Sequence, residues 1–128
     1  MIEVTCALIV DQQGRVLAAQ RGILKELAGK WEFPGGKIEP GETTEQCLLR
    51  EIREELDVQV RVHKALPVVV HHYARGTIKL LPFICSLEEG TITLREHTAA
   101  RWLLPEELPA LDWAPADLPV LESYLRLL

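Results

Sequence analysis

The feature that most constrains the fold is a glycine-bearing loop that leads directly into an amphipathic helix, within residues 35–56. Apolar residues at helical spacing predict this helix over residues 43–56, with one face available to pack against a sheet. The residues of this apolar face are Leu48, Leu49, Ile52 and Leu56. Either Thr43 or Thr44 is suited to cap the first turn. The loop and the helix together predict that a helix packs on a sheet at the centre of the fold.

The same helix carries three glutamates beside its apolar face. Because residues three and four apart share a helix face, we expect Glu51, Glu54 and Glu55 on one arc. Carboxylates this close repel one another unless a cation neutralises them, and their hard oxygens suit Mg²⁺ or Mn²⁺. Arg50 can orient one carboxylate, and the preceding glycines let the backbone approach a metal or a phosphate. A solvated acidic face explains three glutamates alone, whereas the added loop and arginine favour a metal or phosphate site.

The remaining apolar segments indicate an α+β fold, an α/β/α sandwich with a mixed central sheet between helices. Strands are predicted at 4–10, 15–20, 31–33, 58–70 (one bent strand or two short ones), 77–87, 91–94 and 99–104. A helical turn is predicted at 105–108, followed by a terminal helix with Leu118, Leu121, Leu125 and Leu128 on one face. Neither a repeat nor a linker is evident, which indicates a single domain over residues 1–128.

Composition narrows the class of protein and of partner. The 19 acidic residues outnumber the 14 basic ones, which argues against binding to duplex nucleic acid but permits small anionic substrates held through a cation. Cys6, Cys47 and Cys85 are widely spaced in apolar surroundings, and we interpret them as buried free thiols in a reducing compartment. Neither a leader-like start nor an apolar run long enough for a membrane span is present. A cytoplasmic protein without a membrane partner is therefore expected.

The acidic helix and its loop also match a known spacing. The pattern is Gly36, five residues, Glu42, seven residues, Arg50, Glu51, the aliphatic Ile52, one residue, Glu54 and Glu55. It resembles the signature of the Nudix hydrolases, which cleave a nucleoside diphosphate linked to another moiety. Segment 30–42 (KWEFPGGKIEPGE) resembles the MutT-like branch, and segment 114–119 (APADLP) is similar to CTP pyrophosphohydrolases, which are related to the 8-oxo-dGTP diphosphatases. Asp57 departs from the glycine usual in the family, at a position where we expect a left-handed backbone.

The resemblance implies hydrolysis of a nucleoside triphosphate to a monophosphate and pyrophosphate, with Mg²⁺ as cofactor and Mn²⁺ as an alternative. The implied metal ligands are the carbonyl of Gly35 and the carboxylates of Glu51, Glu54 and Glu55. Together with Arg50 and Glu96, these carboxylates form the implied catalytic set, in which Glu51 is also a candidate base. Glu42 is expected to stabilise the junction of loop and helix, with Arg50 as its partner or that of Glu51. Glu96 is either a further ligand or base, or an exposed surface residue.

For the substrate, the resemblance implies that Arg21 contacts phosphate or base and that Glu32 and Phe33 line the site. Asp117 is expected to contact the edge of the base. An ionised Asp117 only accepts hydrogen bonds and so favours bases with an exocyclic amino group, such as cytosine, whereas a protonated one also donates and broadens the range. The alternative for Asp117 is a helix N-cap. Tyr73 either stacks on a base or is an ordinary aromatic residue of the sheet.

Two other functions stay open at the level of sequence: action on another nucleoside diphosphate derivative, and a nucleotide-sensing module without turnover. The adjacent His71 and His72 are not expected to share a metal, because neighbouring strand residues point to opposite faces. His97 either acts together with the preceding Glu96 or is a surface residue, and we favour the surface residue. The expected partner is a small nucleotide, and the expected assembly is a monomer or a homodimer.

Overall fold

An eight-stranded mixed sheet lies between the two α-helices in the computed structural model, which describes all 128 residues. The strands are β1 (Ile2–Val10), β2 (Val16–Gln20), β3 (Trp31–Glu32), β4 (Gly35–Lys37), β5 (Gln59–Ala65), β6 (Val69–Tyr73), β7 (Gly76–Glu89) and β8 (Ala99–Leu103). The helices are α1 (Thr44–Leu56) and α2 (Asp117–Arg126), and a 3₁₀ helix spans Pro105–Ala110. Strand β1 pairs in parallel with β7, and the other strand pairings are antiparallel. The predicted α+β class with a mixed sheet between helices is confirmed.

Strand β1 divides the core between the two faces of the sheet, because successive side chains of a strand point to opposite faces. Cys6 and Leu8 pack on the side of α2, whereas Ala7 and Ile9 pack on the side of α1. Burial on both faces explains why this strand is a continuous apolar run rather than an alternating one. All three cysteines of the chain are free and buried, as predicted.

Helix α1 begins with a capping box. The side chain of Thr43 accepts a hydrogen bond from the backbone N–H of Gln46, whose own side chain accepts from the backbone N–H of Thr43. The prediction that Leu49 is buried was wrong, since this residue is 38% exposed while Cys47 and Leu48 are buried. Successive helix residues are rotated by about 100°, which turns Leu49 away from the sheet and brings Cys47 under the glycine loop.

Helix α2 packs through a face that matches the predicted one only in part, at Leu121 and Leu125. Val120, Leu121 and Tyr124 are buried, whereas Leu118 is exposed and Leu128 lies beyond the end of the helix. The predicted apolar face was therefore wrong at its two ends, because the first leucine points to solvent and the last is not helical. None of the helices is both long enough and apolar enough to cross a membrane.

Residues 91–94 form a loop rather than the predicted strand. The backbone N–H of Thr93 donates to the carbonyl of Leu56, and that of Arg95 donates to the carbonyl of Glu55. These hydrogen bonds go to the end of α1 and not to a neighbouring strand, so the loop is attached to the helix that carries the acidic side chains. Segment 58–70 forms two strands, one of the two predicted alternatives.

Asp57 ends α1 in the expected left-handed backbone, with φ 57° and ψ 37°. We predict that Asp57→Ala lowers the free energy of unfolding by about 1 kcal/mol relative to Asp57→Gly. The left-handed region penalises a Cβ atom, and the greater freedom of glycine in the unfolded chain offsets only part of this penalty. Both variants lose the same ion pair with Arg95 (3.3 Å), so the comparison isolates the backbone. Urea denaturation measures the difference, and equal stabilities of the two variants would contradict the prediction.

Candidate active site

A cavity of about 1010 Å³ opens beside α1. Its walls are the glycine loop, the acidic side of α1, the loop after β2, the turn between β6 and β7, and the start of α2. All the predicted site residues line it: Arg21, Glu32, Phe33, Gly35, Arg50, Glu51, Glu54, Glu55, Tyr73, Glu96 and Asp117. Residues from distant parts of the chain thus meet in one place, and their individual roles stay predictions.

The glycine loop lies so close to β1 and α1 that no side chain fits. A Cβ atom on Gly35 would be 1.9 Å from the backbone oxygen of Thr5, and one on Gly36 would be 2.2 Å from the carboxylate carbon of Glu51. The hydroxyl of Thr5 donates a hydrogen bond of 3.3 Å to the carbonyl of Gly36. Backbone atoms of the loop and the Glu51 carboxylate therefore reach the same wall of the cavity.

Arg50 joins the carboxylates of the loop to those of the helix. Its Nε and Nη2 atoms donate to the two oxygens of Glu42 at 2.6 and 3.0 Å, a bidentate pair. Its Nη1 donates to Glu51 at 3.0 Å and to Glu54 at 3.2 Å. The hydrogen bonds from Arg50 lower the pKa of Glu42 to about 2. This pairing attaches the loop to α1, which is the geometry that the sequence predicts for Glu42.

Glu55 is a buried carboxyl group in an acidic environment. Its side chain is 8% exposed, and its Oε2 atom has no hydrogen-bond partner. Burial, together with the negative charges of Glu32, Glu51 and Glu96, raises the pKa of Glu55 to about 9. A divalent cation would stabilise a carboxylate in this position, and hard oxygen donors are the ligands that Mg²⁺ and Mn²⁺ prefer. The donor set of this wall therefore fits such an ion.

The acidic side chains lie on one wall without forming a closed site. No three acidic, histidine or cysteine side chains converge closely enough to ligate one ion. Arg50 holds both Glu51 and Glu54, and the side chain of Glu54 is 60% exposed at the rim. The fit to a cation consequently rests on the oxygen chemistry of this wall and on the partnerless oxygen of Glu55.

Asp117 is buried at the end of the cavity that the start of α2 forms. Its Oδ2 atom accepts a hydrogen bond of 2.9 Å from the backbone N–H of Phe33. Burial raises the pKa of Asp117 to about 8; the negative charge of Glu32 adds to the effect, while the Phe33 hydrogen bond and Arg21 oppose it. The N-cap of α2 is Ala116, so the alternative of Asp117 as a helix cap was wrong. The carboxyl group is instead held against the backbone of Phe33, where it faces the cavity.

Aromatic residues support this end of the cavity. The rings of Phe33 and Trp113 lie 4.6 Å apart, and both residues are almost fully buried. The hydroxyl of Tyr73 accepts a hydrogen bond of 3.4 Å from the backbone N–H of Ala116, and its ring packs on His71 at 4.3 Å. Phe33 is thus a buried residue whose backbone holds Asp117, whereas Tyr73 is the more accessible aromatic side chain.

The interpretation of His97 as a surface residue was wrong. Its side chain is 4% exposed, and its Nε2 atom lies 2.8 Å from Glu32 and 3.8 Å from Glu55. The only signal in the sequence was a histidine directly after Glu96, because the contacts that turn it inward are distant in the chain. Glu96 itself is half-exposed at the cavity mouth, 3.4 Å from Lys25, and so lines the cavity from an accessible position.

Comparisons with known proteins agree with this architecture. A sequence model of the NUDIX domain matches residues 2–124. The chain is 39% identical over 127 residues to the CTP pyrophosphohydrolase of Escherichia coli (strain K12), covering 99% of this chain and 93% of that protein. It is 29% identical over 126 residues to the 8-oxo-dGTP diphosphatase of the same organism, covering 98% of each.

Solved structures show the same fold. The solution structure of the E. coli ORF135 protein superposes with a TM-score of 0.86 at 39% identity, covering 99% of this chain and 90% of that one. The crystal structure of the MutT protein from Methanosarcina mazei Go1 gives a TM-score of 0.88 at 24% identity, covering 98% and 93% of the two chains. The second likeness concerns the fold alone.

The buried Asp117 generates a prediction for stability. Because its pKa is raised from 3.8 to about 8 on folding, the folded chain binds a proton that the unfolded chain releases between these values. Its contribution to stability is therefore complete below about pH 4 and is lost as the pH rises towards 8. We predict that Asp117→Asn makes the chain more stable than the wild type at pH 8 by more than about 1 kcal/mol, since one pKa unit corresponds to about 1.4 kcal/mol.

Urea denaturation from pH 4 to pH 9 in chelator measures this difference. Glu32 and Arg21 face Asp117 and are unchanged in the variant, so the difference between the two curves isolates Asp117. Asp112→Asn is the matched control, because Asp112 is exposed and pairs with Lys30 at the surface. A difference between Asp117→Asn and the wild type that does not vary with pH would contradict the prediction.

Proposed function

Since the chain belongs to the Nudix family, we propose that it hydrolyses nucleoside triphosphates to a monophosphate and pyrophosphate and so removes unwanted nucleotides from the pool. The observation that carries this proposal is the wall of Gly35, Gly36, Glu51 and Glu55 within one cavity, with a buried carboxylate oxygen that lacks a partner. Relatives named CTP pyrophosphohydrolase and 8-oxo-dGTP diphosphatase match this chain almost from end to end. Their names support a nucleotide with a cytosine-type or oxidised base.

Nudix hydrolases in general require a divalent metal, and we propose Mg²⁺ for this chain, with Mn²⁺ as an alternative. The Gly35 carbonyl and the carboxylates of Glu51, Glu54 and Glu55 would hold it, as their oxygen chemistry fits. When bound, the cation neutralises phosphate charge and lowers the pKa of the attacking water. Glu55 would then be ionised, because a positive charge offsets the burial that raises its pKa.

The reaction breaks one P–O bond of the triphosphate. The oxygen of water joins the β-phosphorus, and the oxygen of the α-phosphate leaves with the nucleoside monophosphate. We assign the transfer of the proton from water to Glu51, whose Oε1 is fixed by Arg50 at 3.0 Å. Glu96, at the mouth of the cavity, is the further carboxylate within the same wall that can serve as ligand or base.

The end of the cavity around Asp117 is the proposed site of the base. Arg21 and Tyr73 line this end and would contact phosphate or base, while Phe33 and Glu32 form its inner wall. Asp117 would contact the edge of the base. With a pKa of about 8 it is mostly protonated at neutral pH and both donates and accepts, which permits more than one kind of base.

We also propose a cytoplasmic location, which three free buried thiols support because such thiols persist in reducing compartments. The assembly, a monomer or a homodimer, stays a prediction. Duplex nucleic acid is not a proposed partner, since the formal charge is −5 and the cavity wall is acidic.

A panel of nucleotides tests the proposed reaction. In Mg²⁺ the wild type should convert a triphosphate to monophosphate and pyrophosphate, and a chelator should abolish the conversion. Glu55→Gln should lower the rate by on the order of 10³-fold, because an uncharged amide stabilises a bound cation poorly. Chromatography of the products gives both results.

The matched control is Glu45→Gln, because Glu45 is an exposed glutamate on the first turn of the same helix and does not line the cavity. Its rate should equal that of the wild type. Orthophosphate as the released product, or near-normal turnover by Glu55→Gln, would reject the proposed reaction.

Base selection is tested at Asp117. Asparagine keeps an oxygen for the N–H of Phe33 but, unlike a carboxyl group, cannot lose its donor, so we expect Asp117→Asn to change the ratio of kcat/KM for dCTP to that for 8-oxo-dGTP by about tenfold, the effect of one hydrogen bond. Asp112→Asn should leave the ratio unchanged. The same ratio in all three proteins would show that Asp117 does not contact the base.

A further inference from the structure

His97 occupies a buried position that the proposed reaction does not use. Its side chain lies between the acidic wall on α1 and the inner wall on β3, with Nε2 at 2.8 Å from Glu32. The residues on either side of it are fixed by backbone hydrogen bonds, from Arg95 to Glu55 at 3.2 Å and from Thr98 to Gln20 at 3.0 Å. The loop is thus attached both to the end of α1 and to the end of β2, and the histidine points inward between them.

Both carboxylate oxygens of Glu32 take part in hydrogen bonds. Its Oε2 accepts from His97, and its Oε1 accepts from the Nη1 of Arg21 at 2.6 Å. Glu32 is therefore a bridge between a buried imidazole and a guanidinium.

Arg21 is held at two of its three nitrogens. Its Nη1 donates to Glu32 and its Nε donates to the carbonyl of Glu26 at 2.7 Å, which leaves Nη2 free beside the cavity. Three other cationic side chains of the cavity are already paired with carboxylates: Lys25 with Glu96, Arg50 with Glu42, and Arg75 with Glu26. A planar guanidinium fixed in this way loses little freedom when it binds an anion or the edge of a base.

We infer that His97 is a positioning residue for substrate binding, since its Nε2–H holds Glu32, and Glu32 in turn fixes the guanidinium of Arg21 towards the nucleotide. The inference rests on the proposed function, because it names the residue that supports a substrate contact of that same site. His97 touches no substrate itself and acts through Glu32.

The other nitrogen of the ring supports a role beyond packing. The Nδ1 atom of His97 is buried and has no hydrogen-bond partner. A proton on Nδ1 would lack an acceptor, so the ring carries its proton on Nε2, where Glu32 accepts it. Phenylalanine would fill the same space without leaving a polar atom unpaired. The property that distinguishes histidine at this position is therefore its hydrogen bond to Glu32.

His97→Phe tests the inference, because it keeps an aromatic ring and removes the donor. With dCTP and Mg²⁺ we expect KM to rise about tenfold while kcat changes by less than about threefold, since the lost order concerns binding rather than the reacting atoms. His97→Gln, which can place an N–H near Glu32, should restore most of the KM. His97→Asn, which is too short to reach Glu32, should behave like the phenylalanine variant.

The matched control is His63→Phe. His63 is exposed, makes a hydrogen bond of 2.7 Å to Ser86 and does not line the cavity. Its replacement should leave both KM and kcat unchanged. Thermal denaturation of all variants shows whether a change in KM results from unfolding. Unfolding would lower the apparent kcat as well, and His97→Gln would not restore it.

A double-mutant cycle with Glu32→Gln separates action through Glu32 from a direct effect. In the Glu32→Gln background, His97→Phe should raise KM no further. Binding of dCMP in chelator, followed by NMR titration, provides a reading that needs neither metal nor turnover, and His97→Phe should weaken it by a similar factor.

Equal KM and equal dCMP affinity in the wild type and His97→Phe would overturn the inference, as would a full additional loss in the Glu32→Gln background. The proposed function fails separately. If the wild type released no pyrophosphate but bound dCMP less tightly after His97→Phe, the reaction would be rejected and the role of His97 would stand.

Discussion

The site depends on one contact, in which the glycine loop lies between β1 and α1 with no room for a side chain. A Cβ atom at Gly35 would collide with the backbone of Thr5, whereas one at Gly36 would collide with the carboxylate of Glu51. The first collision involves β1, and the second involves a flexible side chain. Gly35 is therefore required for the loop to lie on the sheet, and Gly36 is required for the Glu51 carboxylate to stay where it is. Thr5 and Arg50 complete the contact with hydrogen bonds to the same loop.

This arrangement gathers negative charge that the fold only partly compensates. Arg50 forms ion pairs with Glu42, Glu51 and Glu54. Glu55 is not one of its partners and is buried with one oxygen unpaired. A chain selected for stability alone would replace such a carboxyl with an apolar residue. A buried carboxyl group with an unpaired oxygen in a cavity is the kind of local cost that functional sites carry. The proposed cation would offset this cost if it bound beside the unpaired oxygen of Glu55.

Local patterns predicted much of the molecule, and distant contacts decided the rest. Helix α1, its threonine cap and the left-handed Asp57 follow from residues within one or two turns of each other, so the sequence sufficed. The exposure of Leu118 and the loop at 91–94 depend on which element packs alongside, which no local pattern contains. His97 is the clearest case, because its inward direction results from backbone bonds to segments about 40 and 80 residues away. The spacing of the glutamates predicted that they line one cavity, but not that Arg50 would hold two of them.

Glu32 and Asp117 show how the partners of a carboxyl group, rather than its burial, decide its protonation state. Burial by itself acts to raise the pKa of both Glu32 and Asp117. For Glu32 the hydrogen bond from His97 and the charge and hydrogen bond of Arg21 outweigh burial, so its pKa is lowered and it is ionised at neutral pH. Asp117 has a single backbone N–H and the negative charge of Glu32 nearby, so it keeps its proton to about pH 8. One carboxyl can then only accept while the other can donate, and the ionised one maintains the neutral state of its neighbour. Loss of the His97 or Arg21 contact would therefore alter the pKa of both groups.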